Sequence, residues 1–245
     1  MHQEDEPRAA PARRRFLRLG LISVAAVPAA SCSRREPASE AANASPQQAR
    51  PQEPYRPTFF TQQEWDFLTA ACDRLIPSDD AGPGAVEAGV PEFLDRHMQT
   101  PYARGEIWYM QGPFVEAGPE FGYQGRLALR DMLRAGIKGI DAHCVGTYQG
   151  KHFAELDHGR QEEVLKAAEA GKLQIDEVPA KQFFSSLLTE VRNGYFADPS
   201  HGGNKNMAGW KAIGYPGMRA DYLDWVEVRD KPYPIAPVDL SGRRA

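Results

Sequence analysis

Apolar residues recur along this chain at the three- and four-residue spacing of a helix face, in blocks separated by glycine and proline. The first block has the sharpest limits. Thr61 stands at an N-cap position and Glu64 completes a capping box, since each side chain reaches the other residue's backbone N–H. Trp65, Leu68, Cys72, Leu75 and Ile76 then share a face, and Pro77 ends the run. A turn over 78–84 leads to a second predicted helix that starts near Ala85, breaks at Val90-Pro91 and carries Phe93, Leu94 and Met98. Between Tyr102 and Gln124 the spacing disappears. Trp108, Tyr109, Met110, Phe114, Phe121 and Tyr123 are interspersed there with glycines and prolines, in a loop long enough to call for something to pack on.

Helical spacing returns over 125–148 through Leu127, Leu129, Met132, Leu133, Ile137, Ile140 and Cys144, and again over 159–170 through Val164 and Leu165. Pro179 suits the first position of a last long helix, which runs through Phe183, Phe184, Leu187, Leu188 and Val191 to Tyr195-Phe196. No stretch alternates in the manner of a strand. The pattern therefore predicts an all-α fold: a bundle of five or six helices with long loops rich in glycine, proline and aromatic residues, and an extended C-terminal tail. No internal repeat is evident.

The N-terminal region follows different rules. Residues 1–31 read as an export signal: a basic stretch ending in Arg13-Arg14-Arg15-Phe16-Leu17-Arg18, a short apolar run over 19–26, and a small-residue exit. The run is too short to span a bilayer, which takes about 20 apolar residues. Arg13, Arg14, Phe16 and Leu17 fit the twin-arginine pattern, a route for proteins that fold before they cross. The segment Ala29-Ala30-Ser31-Cys32 resembles a lipoprotein cleavage box, with Cys32 as the lipidation candidate; ordinary cleavage near Ala29 or Ala30 is the competing reading. Residues 32–57 are rich in Pro, Ala, Ser, Glu and Gln and hold almost no large apolar side chain, the composition of a linker. Residues 58–245 then form a single domain. The expected location is periplasmic, with a possible lipid anchor.

Composition narrows the chemistry. The chain of 245 residues has a formal charge of −4, and removing the arginine-rich signal makes it more acidic, which argues against nucleic acid as a partner. Of three cysteines, Cys72 and Cys144 would remain beyond residue 32. A disulfide between them suits an exported protein, and two separate buried thiols are the alternative. The histidines show no metal-ligand spacing, His143 and Cys144 are adjacent and so point to different helix faces, and Asp79-Asp80 reads as a solvated turn. Gly202-Gly203-Asn204-Lys205 lacks the spacing of a phosphate loop, and no strand–GxGxxG–helix unit is present. No residue is assigned a catalytic, cofactor-binding or metal-binding role.

Several long strings carry a resemblance. Phe60-Thr61, Ala71-Cys72-Asp73-Arg74-Leu75-Ile76-Pro77, Gly82-Pro83-Gly84-Ala85, Glu87-Ala88-Gly89-Val90, Phe93-Leu94-Asp95-Arg96, Trp108-Tyr109-Met110-Gln111-Gly112-Pro113-Phe114 and the block from Asp198 to Gly217, which has five glycines in twenty residues, occur in order. Together they resemble the gluconate 2-dehydrogenase subunit 3 family over about 60–235, with His201 departing from an expected tyrosine. The resemblance implies a small subunit without a redox centre. It would pair with an FAD-dependent large subunit of the glucose–methanol–choline type, and in some complexes with a multihaem cytochrome c carrying haem c. It would also bring the signal for the twin-arginine translocase. Trp108, Tyr109, Met110, Phe114, Gly202, Gly203, Asn204, Trp210 and Tyr215 are the candidate partner interface, since Trp, Tyr and Met are enriched at such surfaces. For the cluster 108–114, core packing is the alternative. The rival functions are a lipid-tethered sugar-binding module and a stand-alone periplasmic enzyme.

Overall fold

The structure is a computed structural model that describes residues 55–80, 82–115 and 118–245. They form six α-helices: α1 Gln62–Leu75, α2 Val90–His97, α3 Leu129–Thr147, α4 His158–Glu169, α5 Ala180–Phe196 and α6 Ala208–Ile213, joined by loops and short 3-10 turns. Among the described residues there is no β-strand, only isolated bridges. The fold is all-α.

Local signals explain where the helices begin. Thr61 and Glu64 form the capping box of α1: the Thr61 N–H donates to Glu64 Oε2 at 2.8 Å and the Glu64 N–H to Thr61 Oγ1 at 3.3 Å. Asp157 caps α4 by accepting from the Arg160 N–H at 3.1 Å. Three expected starts move. The second helix begins at Val90 rather than near Ala85, because Gly89 is left-handed and residues 85–89 turn instead. The third begins at Leu129, four residues late, because the aromatic loop persists to Ala128. Pro179 is the N-cap of α5, outside the helix, not its first residue.

Helix α5 is the centre of the bundle and packs on α2, α3, α4 and α6. Phe183, Leu187 and Val191 of α5 meet Phe67 and Leu68 of α1, Leu94 of α2, and Leu133, Ile137 and Ile140 of α3 in one buried cluster. Phe153 closes it, its ring centroid 4.6 Å from that of Phe67. The buried face of α1 is Phe67, Leu68, Ala71 and Cys72, turned from the expected one, so that Trp65 and Leu75 lie at its half-buried edges.

Cys72 and Cys144 are free thiols, both fully buried, and this corrects the expected disulfide. Each sits on the core face of its helix and fills space as a small apolar residue. Burial pushes both thiols up, Cys144 to about 12, so neither forms a nucleophilic thiolate.

Two carboxylate clusters tie down the segments at the ends of the unit. Asp95 of α2, fully buried, accepts from the N–H groups of Thr58, Phe59 and Phe60 and from the hydroxyls of Tyr55 and Thr58, at 2.8–3.0 Å. Burial alone would raise its pKa, but these donors outweigh it and hold the carboxyl below its ordinary value. Tyr55, which composition places in the linker, is thus tied to the helical core. At the other end the tail does not run extended. It folds back, with Met218 N–H donating to the Val238 carbonyl at 2.7 Å and Leu240 N–H to Asp198 Oδ2 at 2.9 Å. Asp239 accepts from the N–H groups of Ser241 and Arg243 and so fixes the final turn.

Candidate docking surface

The connection from α2 to α3 is anchored at its base and open at its top. Ala103 and Gly105 are buried, and the Ala103 carbonyl accepts from the Arg130 N–H at 3.2 Å. Arg104 pairs with Glu106 at 2.6 Å. Beyond that base the apolar side chains turn outward: Trp108 is 55% and Tyr109 82% exposed, with Ile107, Phe114, Val115 and Phe121 beside them. They surround a cleft of about 660 Å³ lined by Tyr102, Trp108, Met110, Phe114, Tyr123 and Met132 among others. No Asp, Glu, Lys, Arg or His lines it among the described residues; its polar side chains are mainly the amides of Gln111, Gln124 and Gln182. An apolar surface of this kind, with polar amides at its edge, makes this cleft the candidate binding face. Its Trp, Tyr and Met content matches the central part of a protein interface.

The cleft is coupled to the bundle through a run of contacting rings. His97 lies on Phe93 with centroids 5.0 Å apart and near-parallel planes, Tyr102 sits 5.2 Å from His97, and Trp108 meets Tyr102 edge-on at 5.6 Å. The exposed Trp108 is therefore the outer end of a ring ladder that starts in the core.

The structure divides the candidate interface residues. Trp108, Tyr109, Met110 and Phe114 all line the cleft. The glycine-rich block, by contrast, closes the chain's own core. Trp210 is 2% exposed and its indole N–H donates to the Phe196 carbonyl at 2.8 Å. Asn204 is fully buried: its amide donates to the Ala197 carbonyl and its oxygen accepts from the Gly209 N–H, both at 2.8 Å. Gly203 is buried because a side chain there would overlap the Gly194 carbonyl, and Gly209 meets the Tyr195 carbonyl in the same way. Close backbone approach within the chain, rather than to a partner, explains those glycines. Asn204, Gly203 and Trp210 thus have no surface to offer, a correction to the expected interface. Gly202 is half-buried, and Tyr215 is exposed beside Trp210, ring centroids 5.2 Å apart.

A second apolar surface was not expected from the sequence. Met218, Leu223 and Val226 are exposed along the folded-back tail, beside Ile213 at the end of α6, and there Trp225 and Tyr222 both pack edge-on against Tyr233. The available signal was a run of large apolar residues between Gly214 and Pro237 with no helical spacing to bury them.

The remaining polar groups are absorbed by structure. A cleft of about 590 Å³ between α1 and α3 contains Arg134, Lys138, Asp141 and His152. Asp141 accepts from the Phe153 N–H and from the Gln63 amide, each at 2.9 Å, and so holds the 153–155 turn. Lys138 pairs with Glu177, and Arg134 with Glu64. Among the described residues no group of three His, Cys, Asp or Glu side chains is arranged to hold a metal, and no helix is long and apolar enough to cross a membrane. Arg13, Arg14, Phe16, Leu17 and Cys32 lie outside the described residues.

An all-α unit whose distinctive surface is an exposed, uncharged aromatic cleft has the make-up of a protein that docks onto another. The sequence profile of gluconate 2-dehydrogenase subunit 3 matches residues 62–217, and the chain belongs to that family. The match includes the aromatic loop and the glycine-rich block and ends before the tail surface at Leu223 and Val226. No curated protein and no solved structure matches the chain.

Proposed function

We propose that this protein is the small, non-catalytic subunit of a flavin-dependent dehydrogenase acting on a sugar or sugar acid. Its partner would be a large FAD-containing subunit of the glucose–methanol–choline type, which the small subunit stabilises, and a multihaem cytochrome c would complete some assemblies. The observation that supports this best is the uncharged cleft around Trp108, held out by a family member whose own core is already closed by Trp210 and Asn204. In this reading Arg13 and Arg14 carry the folded pair through the twin-arginine translocase to the periplasm, and Cys32 provides a lipid anchor there. A flavoprotein acquires FAD while folding, so a partner that supplies a folded-export signal meets a physical need of the complex.

Affinity purification of the tagged chain from native membranes and periplasm tests the reading. A stoichiometric large partner with flavin absorbance and dye-linked sugar oxidation is the expected result. A colourless lone chain, under conditions that preserve complexes, would overturn it. Replacing both Arg13 and Arg14 by lysine should leave chain and flavoprotein together in the cytoplasm.

A further inference from the structure

Glu190 of α5 is a buried acid that the fold does not satisfy. Its side chain is 2% exposed. Oε1 receives one long hydrogen bond, from the Asn193 amide at 3.3 Å. Oε2 has no hydrogen-bond partner, and His97 Nε2 lies 3.4 Å from it. A buried charged oxygen left in this way is costly, and a buried carboxyl normally has a partner for each oxygen. One proton between Oε2 and Nε2 resolves the contact, giving a net-neutral pair of carboxylic acid and imidazole.

The surroundings favour that state. Burial raises Glu190, and it lowers His97, with His201 opposing a positive charge there as well. The separation alone would suit an ion pair, but burial disfavours charge on both partners. The groups around the pair are Asn193 on α5, Arg96 on α2, His201 in the 199–201 turn and Tyr102 at the start of the aromatic loop. Arg96 is engaged by Glu92 at 2.6 Å. His97 is also the second ring of the ladder that ends at Trp108.

We propose that Glu190 and His97 share one proton beneath the docking surface, and that this proton positions Tyr102 and Trp108, so that docking weakens as pH rises and the proton leaves. The proposal rests on the docking reading of the cleft. Above the titration Glu190 is a bare carboxylate in the core. The imidazole must then present an N–H at Nε2, by exchange of tautomer or by rotation, and close the 3.4 Å gap, and Tyr102 moves with the ring tilted against it.

Two signals of the purified chain test this together: the Glu190 side-chain carboxyl carbon and the 19F resonance of fluorotryptophan at Trp108, assigned with Trp108→Phe. Both are followed as pH rises from the ordinary glutamate value of about 4.3, since burial raises Glu190. The expected result is a common midpoint in the wild type and no Trp108 transition in Glu190→Gln, whose amide donates to His97 as the protonated acid does. A Trp108 resonance that stays flat while Glu190 titrates, or a transition that persists in Glu190→Gln, overturns the proposal. Neither signal needs a partner. If Trp108 follows Glu190 yet the chain purifies alone, the coupling stands and the docking reading fails. If a flavoprotein co-purifies and Trp108 stays flat, the reverse holds.

Discussion

Trp210 and Trp108 have the same side chain in opposite roles, and replacing each by alanine separates closure of the core from docking. Trp210 is buried with its N–H bonded to the Phe196 carbonyl. Truncating a buried tryptophan costs about 3–5 kcal/mol, and the carbonyl left without its donor adds about 1 kcal/mol. A loss near 5 kcal/mol, with a urea dependence of about 2 kcal/mol per molar, lowers the unfolding midpoint by about 2.5 M. Trp108 packs only edge-on against Tyr102 and is more than half exposed. Its loss should cost under about 1 kcal/mol of stability. At an interface, however, a central tryptophan contributes about 2 kcal/mol or more, so Trp108→Ala should weaken the complex about thirtyfold. Urea unfolding followed by far-ultraviolet circular dichroism measures the first quantity, and flavin retained on the tagged chain measures the second. A Trp210→Ala chain that unfolds like the wild type but loses its flavoprotein would refute the assignment of Trp210 to the core. A Trp108→Ala chain that keeps all its flavin would remove the cleft from the interface.

The remaining predictions concern the frame. Asp95→Asn puts an amide donor where five donors converge and should lower stability by about 2–3 kcal/mol, seen as a fall in melting temperature; an unchanged value would mean the 55–60 segment is not held there. Gly203→Ala forces a methyl onto the Gly194 carbonyl and should destabilise by about 1–3 kcal/mol, while Gly146→Ala, with open space around it on α3, should be neutral or stabilise by up to about 1 kcal/mol; equal effects would contradict the close approach. Neither Cys72 nor Cys144 should react with a thiol reagent until the chain unfolds, and reductant should leave the melting temperature unchanged; a melting temperature lowered by reductant would reinstate the disulfide.

The signals legible in the sequence were those that act over a few residues. The Thr61–Glu64 box and the stop at Pro77 need only local geometry, and helical spacing around Phe183, Leu187 and Val191 located the central helix. What could not be read depends on contacts far apart in sequence. The register of α1 was missed because Phe153, about 90 positions on, selects Phe67 rather than Trp65 for the core. Glycines 203 and 209 appeared fit for a partner because the backbone they approach, at Gly194 and Tyr195, lies across a turn that no periodicity describes. Cys72 and Cys144 share an even count and an exported setting with many disulfides, but only the packing shows two separate core positions. The aromatic loop was visible as a loop, and its exposure became visible only when the core proved complete without it.

Completeness of the core matters for how the proposed docking face would work. Asp95 holds 55–60 against α2, while Asp198 and Asp239 hold the returning tail. The aromatic loop and the tail surface therefore both emerge from a fixed frame, and fixing such loops before binding lowers the ordering cost of association. The same carboxylates set where this advantage fails. Asp95, Asp198 and Asp239 all have folded pKa values below their unfolded ones. Their contribution is complete above the ordinary aspartate value of about 4 and is lost as pH falls through the depressed folded values. Glu190 has the opposite sign: its folded value is raised, so its contribution is present below the ordinary glutamate value of about 4.3 and is lost as pH rises through the raised one. Acid thus loosens the ends of the frame while alkali disturbs the ring ladder at its centre. Docking should have an optimum between the two, with the acid limb moved by Asp95→Asn and the alkaline limb removed by Glu190→Gln.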